Sequence, residues 1–170
     1  MVQRGLTRAR WRAVLWIGLA LFVAALIGLA LHRTWPLLFP AVAESAPLDA
    51  DCDLRAGPCA ASFPGGGTLH FSIEPRTIPL VEQLRLDVAV RGPAVQSVEV
   101  DFSGVDMNMG FNRVQLSPRQ GAEAVHASGA AVLPVCVRNR MAWEAKVMVR
   151  TERGLLVAPF RFETYRTGER

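Results

Sequence analysis

An uncharged run from Ala13 to Leu31 limits what this chain can fold into more than any other feature. Its length is close to the roughly 20 residues that a helix needs to cross the apolar core of a bilayer. Residues 1–12 contain four arginines and no acidic residue, and such basic segments stay on the cytoplasmic side of a membrane. The sequence therefore predicts a cytoplasmic tail (1–12), one transmembrane helix (13–31) and an exported remainder.

A cleaved signal peptide is the alternative interpretation of this segment. Residues 41–43 read Ala-Val-Ala, which has the small-x-small form of a cleavage site. They lie well beyond the apolar run, however, and that run is longer than the roughly 7–15 apolar residues of a typical signal peptide. We therefore predict an anchor, followed by a linker over residues 32–50 with three prolines.

The net charge of +4 is concentrated at the N-terminus. Residues 45–170 contain fourteen Lys and Arg and fourteen Asp and Glu, so the exported part is formally neutral. A nucleic-acid-binding domain would carry a basic patch or stripe, and we predict no nucleic-acid partner. The exported part is long enough for one domain.

All three cysteines lie in the exported part. Cys52 and Cys59 bracket a short loop that contains a Gly-Pro turn, and cysteines in an oxidising compartment pair by default. We expect a Cys52–Cys59 disulfide, which would leave Cys136 unpaired. Pairing of Cys59 with Cys136 is the alternative.

Apolar and polar residues alternate along the exported part, which is the signature of β-strands. The alternation predicts seven strands, and turn signals such as Glu74-Pro75 and Ser117-Pro118 separate them. Seven short strands with regular turns favour an immunoglobulin-like antiparallel β-sandwich, here spanning residues 51–170. The predicted strands cover residues 69–73, 84–90, 98–102, 112–117, 124–133, 141–150 and 155–164.

Enzymatic function has little support in the sequence. It contains neither a Gly-x-Ser-x-Gly nucleophile motif nor a His-Glu-x-x-His zinc motif. Cys52 and Cys59 are too far apart in sequence for the Cys-x-x-Cys motif of thiol oxidoreductases. We therefore predict a protein that is not an enzyme.

Four sulfur-containing residues, Met107, Met109, Cys136 and Met141, are the candidate metal ligands. Met107 and Met109 share one side of a locally extended segment, because side chains alternate there. A short hairpin loop holds Cys136 near Met141. Thioethers and thiolates are soft ligands that select Cu(I), so a fold that joins the two segments would create a Cu(I) site.

Each pair of sulfur residues has a second interpretation. Met141 is in phase with the apolar residues of its strand, and Cys136 follows an apolar segment, so both fit a core-packing role. Met107 and Met109 lie in a polar loop, where contact with a partner protein is the alternative to metal binding.

Four polar residues flank these segments: Asn112, Arg113, Arg138 and Arg140. Either they form a docking rim, or they fix the sulfur-bearing loops from outside the metal ligands. The alternative is that they are ordinary solvated loop residues.

The order of these motifs resembles a group of small single-span periplasmic proteins of proteobacteria. The resemblance lies in Cys-x6-Cys (52–59), Asp-Met-x-Met-Gly-x-Asn-Arg (106–113) and Leu-Pro-x-Cys-x4-Met-x-Trp (133–143). These proteins are associated with Sco-type copper chaperones and cytochrome oxidase assembly, and the architecture is similar to the FixH/YtkA-like group. The chain lacks the His/Met ligand pattern of better-known periplasmic copper chaperones and the Cys-x3-Cys of Sco proteins.

The resemblance implies respiratory copper handling, with Met107, Met109, Cys136 and Met141 at the matching positions. We therefore expect a bacterial inner-membrane protein whose periplasmic domain binds Cu(I) and assists copper delivery or assembly of a respiratory oxidase. Its partners would be that oxidase or a copper chaperone. The alternative is a metal-free accessory subunit whose methionine segment contacts another protein.

Overall fold

A computed structural model of the chain describes residues 3–38, 42–107, 110–135 and 138–165. It contains two compact units, Met1–Ala41 and Val42–Arg170. The first unit is the helix α1, Gln3–Leu38. Within α1, Val14–Thr34 form an apolar stretch of 21 residues with a mean hydropathy of 2.7, which is long enough to span a membrane. A signal sequence near the N-terminus can meet the same criteria of length and composition.

The helix extends past the predicted span of residues 13–31 in both directions. Backbone hydrogen bonding does not stop where the apolar run stops, so residues 3–12 and 32–38 continue the same helix. Near its end, the Thr34 hydroxyl donates to the carbonyl oxygens of Ala30 and Leu31. The segment predicted as a linker over residues 32–50 thus includes a helix end, and it also includes a strand, Val42–Ser45.

The second unit contains nine strands among the described residues, which confirms a mainly β fold. Side by side, they run in the order β1-β9-β8-β5-β6-β7-β4-β3-β2. The strands are β1 Val42–Ser45, β2 Cys59–Ser62, β3 Thr68–Glu74, β4 Gln83–Arg91, β5 Val95–Gly104, β6 Arg113–Gln120, β7 Val125–Val132, β8 Arg140–Thr151 and β9 Gly154–Tyr165.

Strand β6 joins two halves of this curled arrangement. Its first half, up to Leu116, pairs with β5, and its second half, from Ser117, pairs with β7. The first sheet therefore contains β1, β9, β8, β5 and the start of β6, and the second contains the rest. The rings of Phe71 on β3 and Phe160 on β9 lie 5.3 Å apart between centroids, so the sheets face each other as in a β-sandwich.

Three details differ from the sequence prediction. The sheet is mixed, because β1 pairs parallel with β9. Strands β1 and β2 were not predicted, because four residues are too few to show a period. Ser117-Pro118 is not a turn but part of β6; the fixed φ of proline suits extended backbone, and this strand changes sheets at that point.

The core lies between the two sheets and follows the predicted alternation. Inward side chains on β3, β4, β5 and β8 are almost completely buried. The indole N–H of the buried Trp143 donates to the Thr164 hydroxyl at 2.9 Å, so this polar group is satisfied in the core. The inward residues of these four strands include Leu69, Phe71, Ile73, Leu84, Leu86, Val88, Val90, Val98, Val100, Phe102, Trp143, Ala145, Val147 and Val149.

Candidate functional site

Two loops at one end of the sandwich contain or adjoin Met107 and Met141, the two candidate ligands that the structure describes. We call residues 105–112, between β5 and β6, the methionine loop, and residues 133–139, between β7 and β8, the hairpin loop. The strand register brings them to the same end, because Gly104 pairs with Trp143 near the start of β8. The backbone N–H of Val105 also donates to the Ala142 carbonyl at 3.0 Å. The methionine loop is thus fastened to the start of β8.

Met107 and Met141 meet beside Gly104. Met141 is only 6% exposed and belongs to the core, while Met107 is half-buried and packs against that core. A Cβ atom on Gly104 would clash with the Met107 carbonyl oxygen and lie 2.5 Å from the terminal methyl carbon of Met141. Both methionines therefore crowd the same glycine, and the structure brings these two predicted ligands together.

A small cavity lies beside these two residues. It measures about 10 Å³ and is lined by Asp106, Met107, Arg138, Met141 and Ala142. A space of this size holds roughly one water-sized atom. The cavity is therefore about the size of a single ion, and two of the five residues that line it are methionines.

The other two predicted ligands, Met109 and Cys136, lie outside the described residues. Their sequence neighbours Met107 and Arg138 both line the cavity. The four-sulfur arrangement predicted from the sequence stays a prediction for these two residues.

Asn112 and Arg113 hold the far end of the methionine loop. The Asn112 side-chain amide donates to the Val132 carbonyl at 3.2 Å, and the backbone carbonyl of Asn112 accepts from the backbone N–H of Phe102 at 2.9 Å. The Arg113 guanidinium lies 3.3 Å from Asp101, and its central carbon lies 5.0 Å from the centroid of the Phe111 ring. These contacts attach this end of the methionine loop to β5 and β7.

Arg140 on β8 forms a bidentate ion pair with Glu163 on the neighbouring strand, β9. Its Nε and Nη2 atoms donate to the two carboxylate oxygens of Glu163 at 2.8 and 2.6 Å, and the Tyr165 hydroxyl donates to the same carboxylate at 2.8 Å. The hydrogen bond from Arg140 lowers the pKa of Glu163 below its usual value. The hydrogen bond to Glu163 raises the pKa of Tyr165.

The disulfide loop lies at this end of the sandwich as well. Cys52 and Cys59 are joined in a disulfide, so the structure has the expected pairing rather than that of Cys59 with Cys136. Between them, Leu54 is almost fully buried. The Arg55 guanidinium lies 5.2 Å from the centroid of the Tyr165 ring, which connects this loop to the end of β9.

Within the part of the chain that the structure describes, no group of three or more His, Cys, Asp and Glu residues stands close enough to hold a metal ion. At the methionine-loop end of the sandwich, a metal site would therefore depend on thioether sulfur, and a thioether stays available as a ligand at any pH because it does not titrate.

Gly104 and Phe111 were not found by sequence reasoning. Gly104 ends β5 immediately before the methionine loop, and only the fold shows that both methionines crowd it. Phe111 is 80% exposed. Phe111 is the one aromatic residue of residues 105–112, which was the signal available in the sequence.

No protein-family model matches the sequence, and no curated protein is significantly similar to it. Similarity to the FixH/YtkA-like group therefore stays a prediction.

Proposed function

We propose that this protein is a membrane-anchored Cu(I)-binding protein that delivers copper to a respiratory oxidase or assists its assembly. The observation that carries the proposal is the cavity shared by Met107 and Met141. Soft thioether ligands prefer Cu(I) to the harder ions of a cell. In this proposal copper is cargo, and the protein binds it without catalysing a reaction.

The residues around the cavity suit an ion that is taken up and released. Asp106 and Arg138 in the cavity wall are both exposed to solvent, so the cavity lies near the surface. The Asp106 carboxylate adds negative charge that favours a cation, and the Arg138 guanidinium opposes it. Met109 and Cys136 are the proposed additional ligands, on the basis of their position in the sequence.

The proposed location is the bacterial inner membrane, with α1 as a permanent anchor, the N-terminus in the cytoplasm and the sandwich in the periplasm. The apolar stretch Val14–Thr34 and the arginines before it support this topology. Strand β1 argues against signal cleavage at residues 41–43, because Val42 pairs with Leu155 of β9. Cleavage after Ala43 would remove half of that strand. The role in oxidase assembly is based on the resemblance of the sequence motifs.

The direct test is an anaerobic Cu(I) titration of the full chain in detergent, in competition with a chromophoric chelator. We expect one tightly held equivalent. Met107→Leu and Met141→Leu remove a sulfur and nearly preserve volume, and each should lower Cu(I) affinity at least tenfold. Met148→Leu, on the outer face of the same strand as Met141, is the matched control and should bind as the native protein does.

Two results would count against the copper proposal. One is a native protein that does not compete with the chelator. The other is a Met107→Leu/Met141→Leu double variant that retains Cu(I) as well as Met148→Leu.

A metal-free accessory role is the second candidate, favoured by the exposed apolar side chains around the loops. Phe111 and Val105 in the methionine loop and Val135 in the hairpin loop are all exposed, and a contiguous exposed apolar patch marks a protein contact site. This candidate predicts that Phe111→Ser reduces co-purification of the respiratory oxidase with the full chain while Cu(I) binding is unchanged. If the oxidase is retained equally by Phe111→Ser and native protein, Phe111 is not part of such a contact.

A further inference from the structure

The outer face of the second sheet carries two histidines in one row. His70 on β3 lies opposite Ala89 on β4, and Ala89 lies opposite His126 on β7. Both histidines are exposed, whereas their neighbours Phe71 and Ala127 point into the core. Since adjacent strands are about 4.8 Å apart, the Cα atoms of the two histidines are separated by about 10 Å.

Ala89 leaves open space between the two histidine side chains. A groove of about 350 Å³ runs over this part of the sheet, and its lining includes His70, Ala89 and His126. The side chain of Ala89 ends at its Cβ, so both imidazole rings can lean over it from opposite sides. An ion shared by the two rings would require one nitrogen of each at about 2.0–2.1 Å.

A carboxylate lies one row away on the same face. Asp87 is opposite Ser72 on one side and Ser128 on the other, and all three line the groove. The carboxylate now lies 3.5 Å from the Arg85 guanidinium, with both side chains at least half exposed. Exposed ion pairs of this kind contribute little to stability, so the carboxylate can turn toward an ion between the histidines at little cost.

Arg119 is the positive charge that faces the groove. Arg119 lies on β6, opposite His126 on β7, and it also contributes to the groove lining. A guanidinium beside the site disfavours ions that bind only through charge. An ion that forms strong bonds to imidazole nitrogen is less affected, and Cu(II) ranks first among the divalent first-row ions in such sites.

We propose that His70 and His126 form a second metal site that takes a divalent first-row ion through imidazole nitrogen, with Cu(II) bound most tightly. These two histidines and Asp87 do not form a metal-binding group as they stand in the structure, and Asp87 completes the site by turning from Arg85 when the ion binds. This site is independent of the proposed Cu(I) cavity, because it lies on the outer face of the second sheet and uses nitrogen ligands in place of sulfur.

The test is equilibrium dialysis of the full chain in detergent against Cu(II), with electron paramagnetic resonance of the bound ion. We expect one bound Cu(II) whose spectrum shows coupling to nitrogen. His70→Ala and His126→Ala should each lower the affinity by about ten- to a hundredfold. Ala89→Leu keeps both histidines but fills the space between them, and it should weaken binding to a similar extent.

Two variants serve as controls for this experiment. His32→Ala removes the remaining histidine of the chain and should leave Cu(II) affinity unchanged, as should the double variant Met107→Leu/Met141→Leu. Equal affinity in the native protein and both groove-histidine variants would overturn the proposal. So would a loss of binding in His32→Ala but not in His70→Ala. Neither result would bear on Cu(I) binding at the methionine cavity.

Discussion

Glu163 accepts hydrogen bonds from two side chains, the Arg140 guanidinium and the Tyr165 hydroxyl. Both donors favour the ionised carboxylate, and the one from Arg140 has the larger effect in lowering the pKa of Glu163. A carboxyl group whose pKa is lower in the folded state than in the unfolded state stabilises the fold once it is ionised. The stability of the sandwich should therefore depend on pH through this residue.

Comparison of the native protein with Glu163→Gln should reveal this dependence. Above the usual carboxyl pKa, the native protein should be the more stable of the two. The difference should disappear as the pH falls through the lowered pKa of folded Glu163, because the protonated acid no longer attracts Arg140. Urea unfolding of the full chain in detergent, followed by circular dichroism across acidic and neutral pH, measures it.

The Arg140→Gln background provides the control for this comparison. Without the guanidinium, Glu163→Gln should have a smaller effect at neutral pH, since the two residues act as a pair. An effect of Glu163→Gln that is the same at acidic and neutral pH would contradict the assigned cause.

At this scale, the sequence identified residues but not their partners. Arg140 and Met141 were singled out for their position beside Cys136. The partner of Arg140 lies 23 residues away, and only the register of β8 with β9 places Glu163 beside it. The contact of Met107 and Met141 at Gly104 likewise depends on the pairing of β5 with β8.

At the scale of strands, alternation predicted the elements that bury one face. Strands β3, β4, β5 and β8 show the strict pattern, because one side of each faces the core. Strand β6 does not, since it leaves one sheet for the other after Leu116. A strand whose two halves belong to different sheets has no single buried face, so its sequence does not alternate throughout. Without that alternation, Ser117-Pro118 was interpreted as a turn.

Gly104, at the end of β5, determines how closely the methionine loop approaches the start of β8. Gly104→Ala should displace the methionine loop, because the added Cβ would meet the backbone carbonyl of Met107, which cannot move aside as a flexible side chain can. We expect a loss of about 1–3 kcal/mol in unfolding free energy, together with weaker Cu(I) binding if the proposed site is correct. Urea unfolding of the full chain measures the first effect.

Gly57→Ala is the matched control, because a Cβ atom at Gly57 has no heavy atom within 4 Å. It should change stability by much less than Gly104→Ala. If the two variants were equally stable, the close contact at Gly104 would not constrain the loop.

At the scale of the whole molecule, the fold class could be predicted because it depends on patterns repeated along the chain. One long apolar run gave the helix, and repeated alternation gave the sandwich. The parallel pairing of β1 with β9 could not be predicted, since it joins segments more than a hundred residues apart with no shared pattern.

The anchor proposal makes a prediction about the mature protein. Intact-mass measurement of protein purified from membranes should give the mass of a chain that retains α1, because cleavage at residues 41–43 would cut into β1. The protein should also stay with the membranes after an alkaline wash, which removes peripheral proteins. A mature chain that begins at Glu44, recovered in the soluble fraction, would show that α1 is a signal peptide.

The parallel pairing of β1 and β9 also determines how the sandwich responds to force. These are its first and last described strands, and they point in the same direction. Tension between Val42 and Tyr165 would therefore slide the two strands past each other and load their hydrogen bonds together. An antiparallel pair held at the same ends would peel apart one bond at a time. A chain tethered through α1 and held at its methionine loop by a partner would thus be pulled in a direction that this pairing resists.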